Sequence, residues 1–122
     1  MKTNTIKVGI MPLHEYKQRI LAIAKGEYQP KKEEPKIWFE SLKSMAQILS
    51  YENQTLLKVI LKEQPQSLAE LEVLTGRAKS NLSRTLKTLE RYGIVELQKV
   101  NNALVAKVKA THFQVEFGLN AA

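Results

Sequence analysis

With 122 residues and 43% hydrophobic content, the chain is long enough for one compact core with an appended element and too short for two ordinary domains. It contains no cysteine, which excludes disulfides, thiolate metal sites and a cysteine nucleophile together and suits a reducing cytosol. No apolar run approaches the ~20 residues of a bilayer span, and the start MKTNTIKVGIMPL lacks the apolar stretch of a signal peptide, so a cytoplasmic, soluble protein without membrane partners is expected. The net charge of +7 is unevenly placed. Residues 37–76 carry a net −2, residues 77–109 a net +6 and residues 1–36 a net +4. Cations concentrated in one segment make a directional field that attracts a polyanion.

In chain order, residues 4–10 alternate Ile6, Val8 and Ile10 and predict a short strand. From Met11 to about Gly26 the spacing turns helical, with Leu13, Tyr16, Ile20 and Ala24 on one stripe and Pro12 in the first turn. The polar, two-proline stretch EYQPKKEEPK reads as a linker or exposed loop. It divides a strand-helix extension with its linker, residues 1–36, from a domain at 37–122. Residues 36–49 predict a second helix, on which Trp38, Leu42, Met45 and Leu49 step by four, three and four. That seam suits either intramolecular packing or a dimer interface.

Ser50 is expected to cap a third helix running to about Glu63, with Leu56, Leu57, Ile60 and Leu61 as its apolar side. After Gln64-Pro65-Gln66, the run Ser67-Leu68-Ala69-Glu70 fits a capping box and opens a short helix that turns Leu68, Leu71 and Leu74 inward. That helix closes at Thr75-Gly76. A turn of about three residues leads into a helix over 78–91, with Leu82, Leu86 and Leu89 as its buried stripe and Gly93 ending it. Residues 94–99 and 104–110 are strand-like around Asn101-Asn102, which predicts a hairpin. Residues 111–117 alternate Phe113, Val115 and Phe117 and add a candidate third strand.

The order helix, short helix, turn, helix, hairpin is that of a winged helix-turn-helix: a mainly α fold with a small β wing (α+β) and an N-terminal strand-helix extension. Its second helix is free to enter a major groove about 12 Å wide. The outer face of that helix collects Arg77, Lys79, Ser80, Asn81, Ser83, Arg84, Lys87 and Arg91, and the hairpin adds Lys99, Lys107 and Lys109. Arg84 has the fork that binds guanine O6 and N7 together, and Asn81 suits adenine. Ser80 and Ser83 suit phosphate or water-mediated contacts, and the hairpin lysines suit the backbone beside the helix.

The stretch LAELEVLTGRAKSNLSRTLKTLERYGIVEL resembles the helix-turn-helix core of the MarR and ArsR types of bacterial regulators, over about residues 50–110. It departs from them at Ala78, where they often carry a capping serine or threonine; the cap must come from elsewhere, or Ser80 starts the helix later. The wider chain, through WFESLKSMAQILSYENQTLLKVI, the extended wing and the N-terminal strand-helix, is similar to a group of archaeal and bacterial predicted DNA-binding proteins. Some of that group are paired with a small toxin. The resemblance implies a repressor-like, self-regulating role, and as an alternative an antitoxin whose residues 1–30 bind a partner toxin.

Enzymatic chemistry has no foothold. His14 and His112 are far apart in sequence, no metal-ligand spacing occurs, and phosphate-binding glycine loops and nucleophile elbows are missing. No catalytic residue, metal or cofactor is expected. The expected partner is double-stranded DNA, bound by a homodimer whose two recognition helices meet half-sites one turn apart.

Overall fold

The computed structural model describes residues 4–119. Among them are five helices and two small sheets, an α+β architecture: β1 (Thr5–Ile10), α1 (Leu13–Ala24), β2 (Ile37–Phe39), α2 (Leu42–Ile48), α3 (Tyr51–Glu63), α4 (Leu68–Thr75), α5 (Lys79–Arg91), β3 (Val95–Val100), β4 (Ala103–Val108) and β5 (His112–Glu116).

The middle of the chain forms through local signals. Ser50 caps α3, its Oγ accepting the Asn53 amide at 3.2 Å, and Gln64 closes it in the left-handed region. Ser67 accepts the Glu70 amide at 3.1 Å. The return arm of this capping box is displaced by one residue, because the Glu70 carboxylate accepts from Gln66 N–H at 2.6 Å. Gly76, at φ 74°, ends α4 where a side chain would be strained. On α4, Leu71 is buried and Leu68 packs against the core, but Leu74 is exposed. The inward stripe expected there is narrower by one residue, because each step of three falls about 60° short of a full turn and Leu74 lies about 120° round the helix from Leu68. Leu82, Leu86 and Leu89 of α5 are all buried, as their spacing requires. Asn101 and Asn102 both take positive φ, at 52° and 64°, and turn β3 into antiparallel β4.

The ends of the chain pair with each other. β1 lies between β2 and β5, parallel to both, in a three-stranded sheet of order β2-β1-β5. Val8 faces Ile37 on one side and Val115 on the other. Residues 111–117 therefore supply a strand as expected, but to β1 and not to the hairpin. Val8, Ile37 and Phe39 belong to the same buried cluster as Leu56, Ile60, Leu82 and Leu89, and the Phe39 ring stacks on Tyr92 at 4.6 Å. The expected division at residue 36 thus falls between two paired strands, β1 and β2, of one sheet.

The helix expected over 36–49 is corrected. Residues 37–39 are strand, and α2 begins only at Leu42, capped by Ser41. Three consecutive β-formers, Ile37-Trp38-Phe39, pair with β1, and the first helical turn follows only at Leu42. The four-residue seam is consequently not one helical stripe: Trp38 sits on β2, Leu42 is exposed, and Met45 and Leu49 pack against the core.

Trp38 also explains a glycine. A Cβ on Gly9 would stand 2.5 Å from Trp38 Cζ3 and 2.8 Å from Pro35 Cγ, so the indole lies directly on the β1 backbone. Over the same indole sits the Arg19 guanidinium, 5.2 Å from the Trp38 ring and from the Tyr28 ring, and 2.8 Å from the Glu34 carboxylate. Tyr28 donates its hydroxyl to Glu34. The polar segment 27–36 is thereby held to α1 and β2. α1 itself buries no residue completely, and Leu13, Ile20 and Leu21 remain exposed.

Candidate nucleic-acid interface

α5 is the strongly two-sided helix of this chain. Its leucines face the core, and Lys79, Ser80, Arg84, Lys87 and Arg91 are exposed on the other side. Thirteen residues at about 100° each give this separation directly from sequence. Helix α4 is joined to α5 by Gly76, Arg77 and Ala78. Ala78 is the N-cap and offers no side-chain acceptor, so the helix starts at Lys79 without a cap bond. Ser80 is inside the first turn and does not cap.

The cations differ in what already holds them. Arg84, Lys79 and Lys87 have no hydrogen-bonded or ion-pair partner for their side chains among the described residues and are exposed. Arg91 donates to Thr88 Oγ1 at 3.3 Å. Arg77 stands apart. It is half-buried, and its guanidinium donates to Asn81 Oδ1 at 2.8 Å, Thr85 Oγ1 at 3.0 Å and Asn53 Oδ1 at 3.3 Å. Its backbone N–H adds a bond to Thr75 Oγ1 at 3.2 Å. A guanidinium with five fixed donors suits this role of tying the inter-helix turn to α3 and α5. Asn81 is exposed, yet the oxygen that would accept from adenine already accepts from Arg77. Ser83 is half-buried.

The hairpin cations do not share one face. Side chains alternate along a strand, and the register sets Glu96 opposite Lys107 but Lys99 opposite Leu104, on the other face. Lys109, just past β4, meets the Glu96 carboxylate at 3.4 Å. Glu96 is held below the usual carboxylate range by a hydrogen bond from Gln98, then by the hydrogen bond and charge of Lys109, and last by Lys107. Of the three hairpin lysines, Lys109 is therefore partly neutralised, whereas Lys99 and Lys107 carry no such ion pair among the described residues.

Asn53 and Thr85 were not among the residues expected to matter. They position α5 through Arg77, and Asn53 lies 24 positions from it. No local pattern signals such a pair. His14 lies on α1 and His112 on β5, and among the described residues no cluster of three histidines or carboxylates could hold a metal ion. No helix there is long and apolar enough to cross a membrane.

A family model matches residues 48–115, more than half of the chain, and the chain belongs to that family, HVO_A0114. The matched stretch begins at the end of α2 and runs through α3, α4, α5, the hairpin and nearly all of β5. No curated protein and no solved structure matches the chain.

Proposed function

We propose that this protein is a sequence-specific double-stranded DNA-binding transcription regulator of winged helix-turn-helix form. In this reading α5 enters the major groove, the β3-β4 hairpin is the wing, and a homodimer presents two such helices to a palindromic site. One observation carries it: Lys79, Arg84 and Lys87 stand exposed, without side-chain partners among the described residues, on the face of α5 opposite its buried leucines. An exposed arginine fork on the outer face of a helix is the side chain best matched to guanine. The uncapped first turn of α5, beside Lys79 and Ser80, offers amide donors to a phosphate.

Arg77 is assigned to holding α5 in place, and Arg84 and Lys87 to the nucleic acid. Lys99, Lys107, Ser80, Ser83 and Arg91 are backbone contacts in this scheme. A protein-partner reading, of the antitoxin kind, draws on the exposed Leu13, Ile20 and Leu21 of α1.

The test is fluorescence anisotropy on the duplex upstream of the protein's own gene and on a scrambled duplex, across several salt concentrations. The expected outcome is tighter binding upstream, with Arg84→Ala costing about 1–3 kcal/mol there and little on scrambled DNA. Equal, weak binding to both duplexes that fades steeply with salt would reduce the basic face to general electrostatics and reject the reading.

A further inference from the structure

The two edges of the parallel sheet are built differently. β2 is three residues long and is preceded by Pro35 and Lys36, so it offers little to a passing strand. β5 has five residues, with neither proline nor lysine, and its outer edge is open among the described residues. Exposed strand edges are normally blunted by such residues or covered. Purely parallel sheets, moreover, are rarely left with an open face.

The outward groups of β5 can be identified. The His112 N–H donates to the Asn4 carbonyl at 3.0 Å, toward β1. Alternation then turns the backbone of Gln114 and Glu116 toward β1 as well, and that of Phe113, Val115 and Phe117 outward. The side chains of Phe113 and Val115 share the face of Ile6 and Val8, their register partners, and the same alternation continued one residue past β5 would add that of Phe117. Yet Val115 is 42% and Phe117 57% exposed. Beside them opens a groove of ≈ 400 Å³ floored by Met45, Leu49, Leu57 and Leu61, with Phe113 and Val115 on its wall.

We propose that this edge is the seam of a homodimer, in which β5 pairs antiparallel with β5 of a second copy about a two-fold axis at Val115. A two-fold axis requires a self-complementary segment, and HFQVEF is one. With Val115 opposite the partner's Val115, Phe113 falls opposite the partner's Phe117, and Gln114 opposite the partner's Glu116. Apolar residues meet apolar residues on one face, and no like charges stand opposite on the other. The three outward residues all fall in hydrogen-bonded positions of this register, so each finds a backbone partner. The two three-stranded sheets become one of six strands, and each Phe117 reaches the groove of the other copy. The seam does not depend on DNA binding, and a chain that fails to bind DNA would still form it.

Sedimentation equilibrium on the full chain is expected to find a dimer, and Phe117→Lys, which lies outside the β1-β5 register, to weaken it at least about tenfold with unchanged helical circular dichroism. In the cysteine-free chain, Val115→Cys is expected to form a disulfide-linked dimer on mild oxidation. Its two Cα atoms would be about 5.5 Å apart, within disulfide range. Tyr51→Cys, exposed on α3, which contributes no residue to the paired strands, serves as the control and is expected to link at least about tenfold more slowly. A monomeric wild-type chain overturns the proposal. So does a dimer unaffected by Phe117→Lys, or one in which Val115→Cys links no faster than Tyr51→Cys.

Discussion

Residues 50–110 and the parallel sheet are built by opposite strategies. In the first region each helix is started by a neighbouring serine or ended by a neighbouring residue at positive φ, and the strands meet across a two-asparagine turn. In the second, three short strands come from residues 5–10, 37–39 and 112–116, and none is joined to its partner by a tight turn: β1 and β2 are separated by α1, and β1 and β5 by most of the chain. Local closure is cheap in chain entropy, whereas joining the two ends of a chain must be offset by contacts made late. The sheet still shares one buried cluster with α3 and α5. A region assembled from distant pieces can thus be as deeply committed to the core as one assembled locally.

The sharpest test of that comparison is whether the two regions unfold together. Leu82→Ala removes a fully buried side chain from the locally built region and should cost about 2–5 kcal/mol. Trp38, the single tryptophan, reports on the sheet by fluorescence, and circular dichroism reports on the helices. Both signals should shift together in urea; separate midpoints would show two independent units. A smaller loss, about 1–3 kcal/mol, is expected from Gly9→Ala, which forces a methyl group against the Trp38 ring and Pro35. It too should move both signals, although it alters only the sheet.

Arg77→Met compares two arginines within the local region. It leaves the acceptors of Asn53, Asn81 and Thr85 without their donor and should cost about 1–3 kcal/mol of stability. Arg84→Ala should change the urea midpoint little, since its side chain is exposed, and a reversed order of effects would exchange the roles given to the two. The smallest effect concerns Glu96. Its folded carboxyl is lowered, so the stability it lends is present above its unfolded pKa and is lost as pH falls through the folded value. A carbon-detected NMR titration should find its midpoint below 4.5 and rising in Gln98→Ala. Its side chain is about half exposed, so solvent screens the interaction and the change in stability should be slight.

Much of the candidate interface was legible in the residues. The spacing of Leu82, Leu86 and Leu89 places the opposite face of α5 outward, so the exposure of Arg84 and Lys87 follows from helical geometry. The same geometry could not distinguish Arg77 from Arg84, because the three acceptors that engage Arg77 lie partly on another helix. Nor could it divide Lys99 from Lys107, since only the register sets strand faces. Trp38 reads equally well as the start of a helical seam or as a strand residue, and short apolar runs carry no period that decides between them.

Composition, helix periodicity, the serine caps and the asparagine turn were thus determined by the sequence itself, because each depends on atoms a few residues apart. Tertiary structure alone decided that residues 5–10 and 112–116 share a sheet, that Trp38 lies over Gly9, that Arg77 is withdrawn from the basic face and that the outer edge of β5 is open among the described residues. Those outcomes turn on which distant surfaces exclude water together. No short window of residues contains both sides of such a contact.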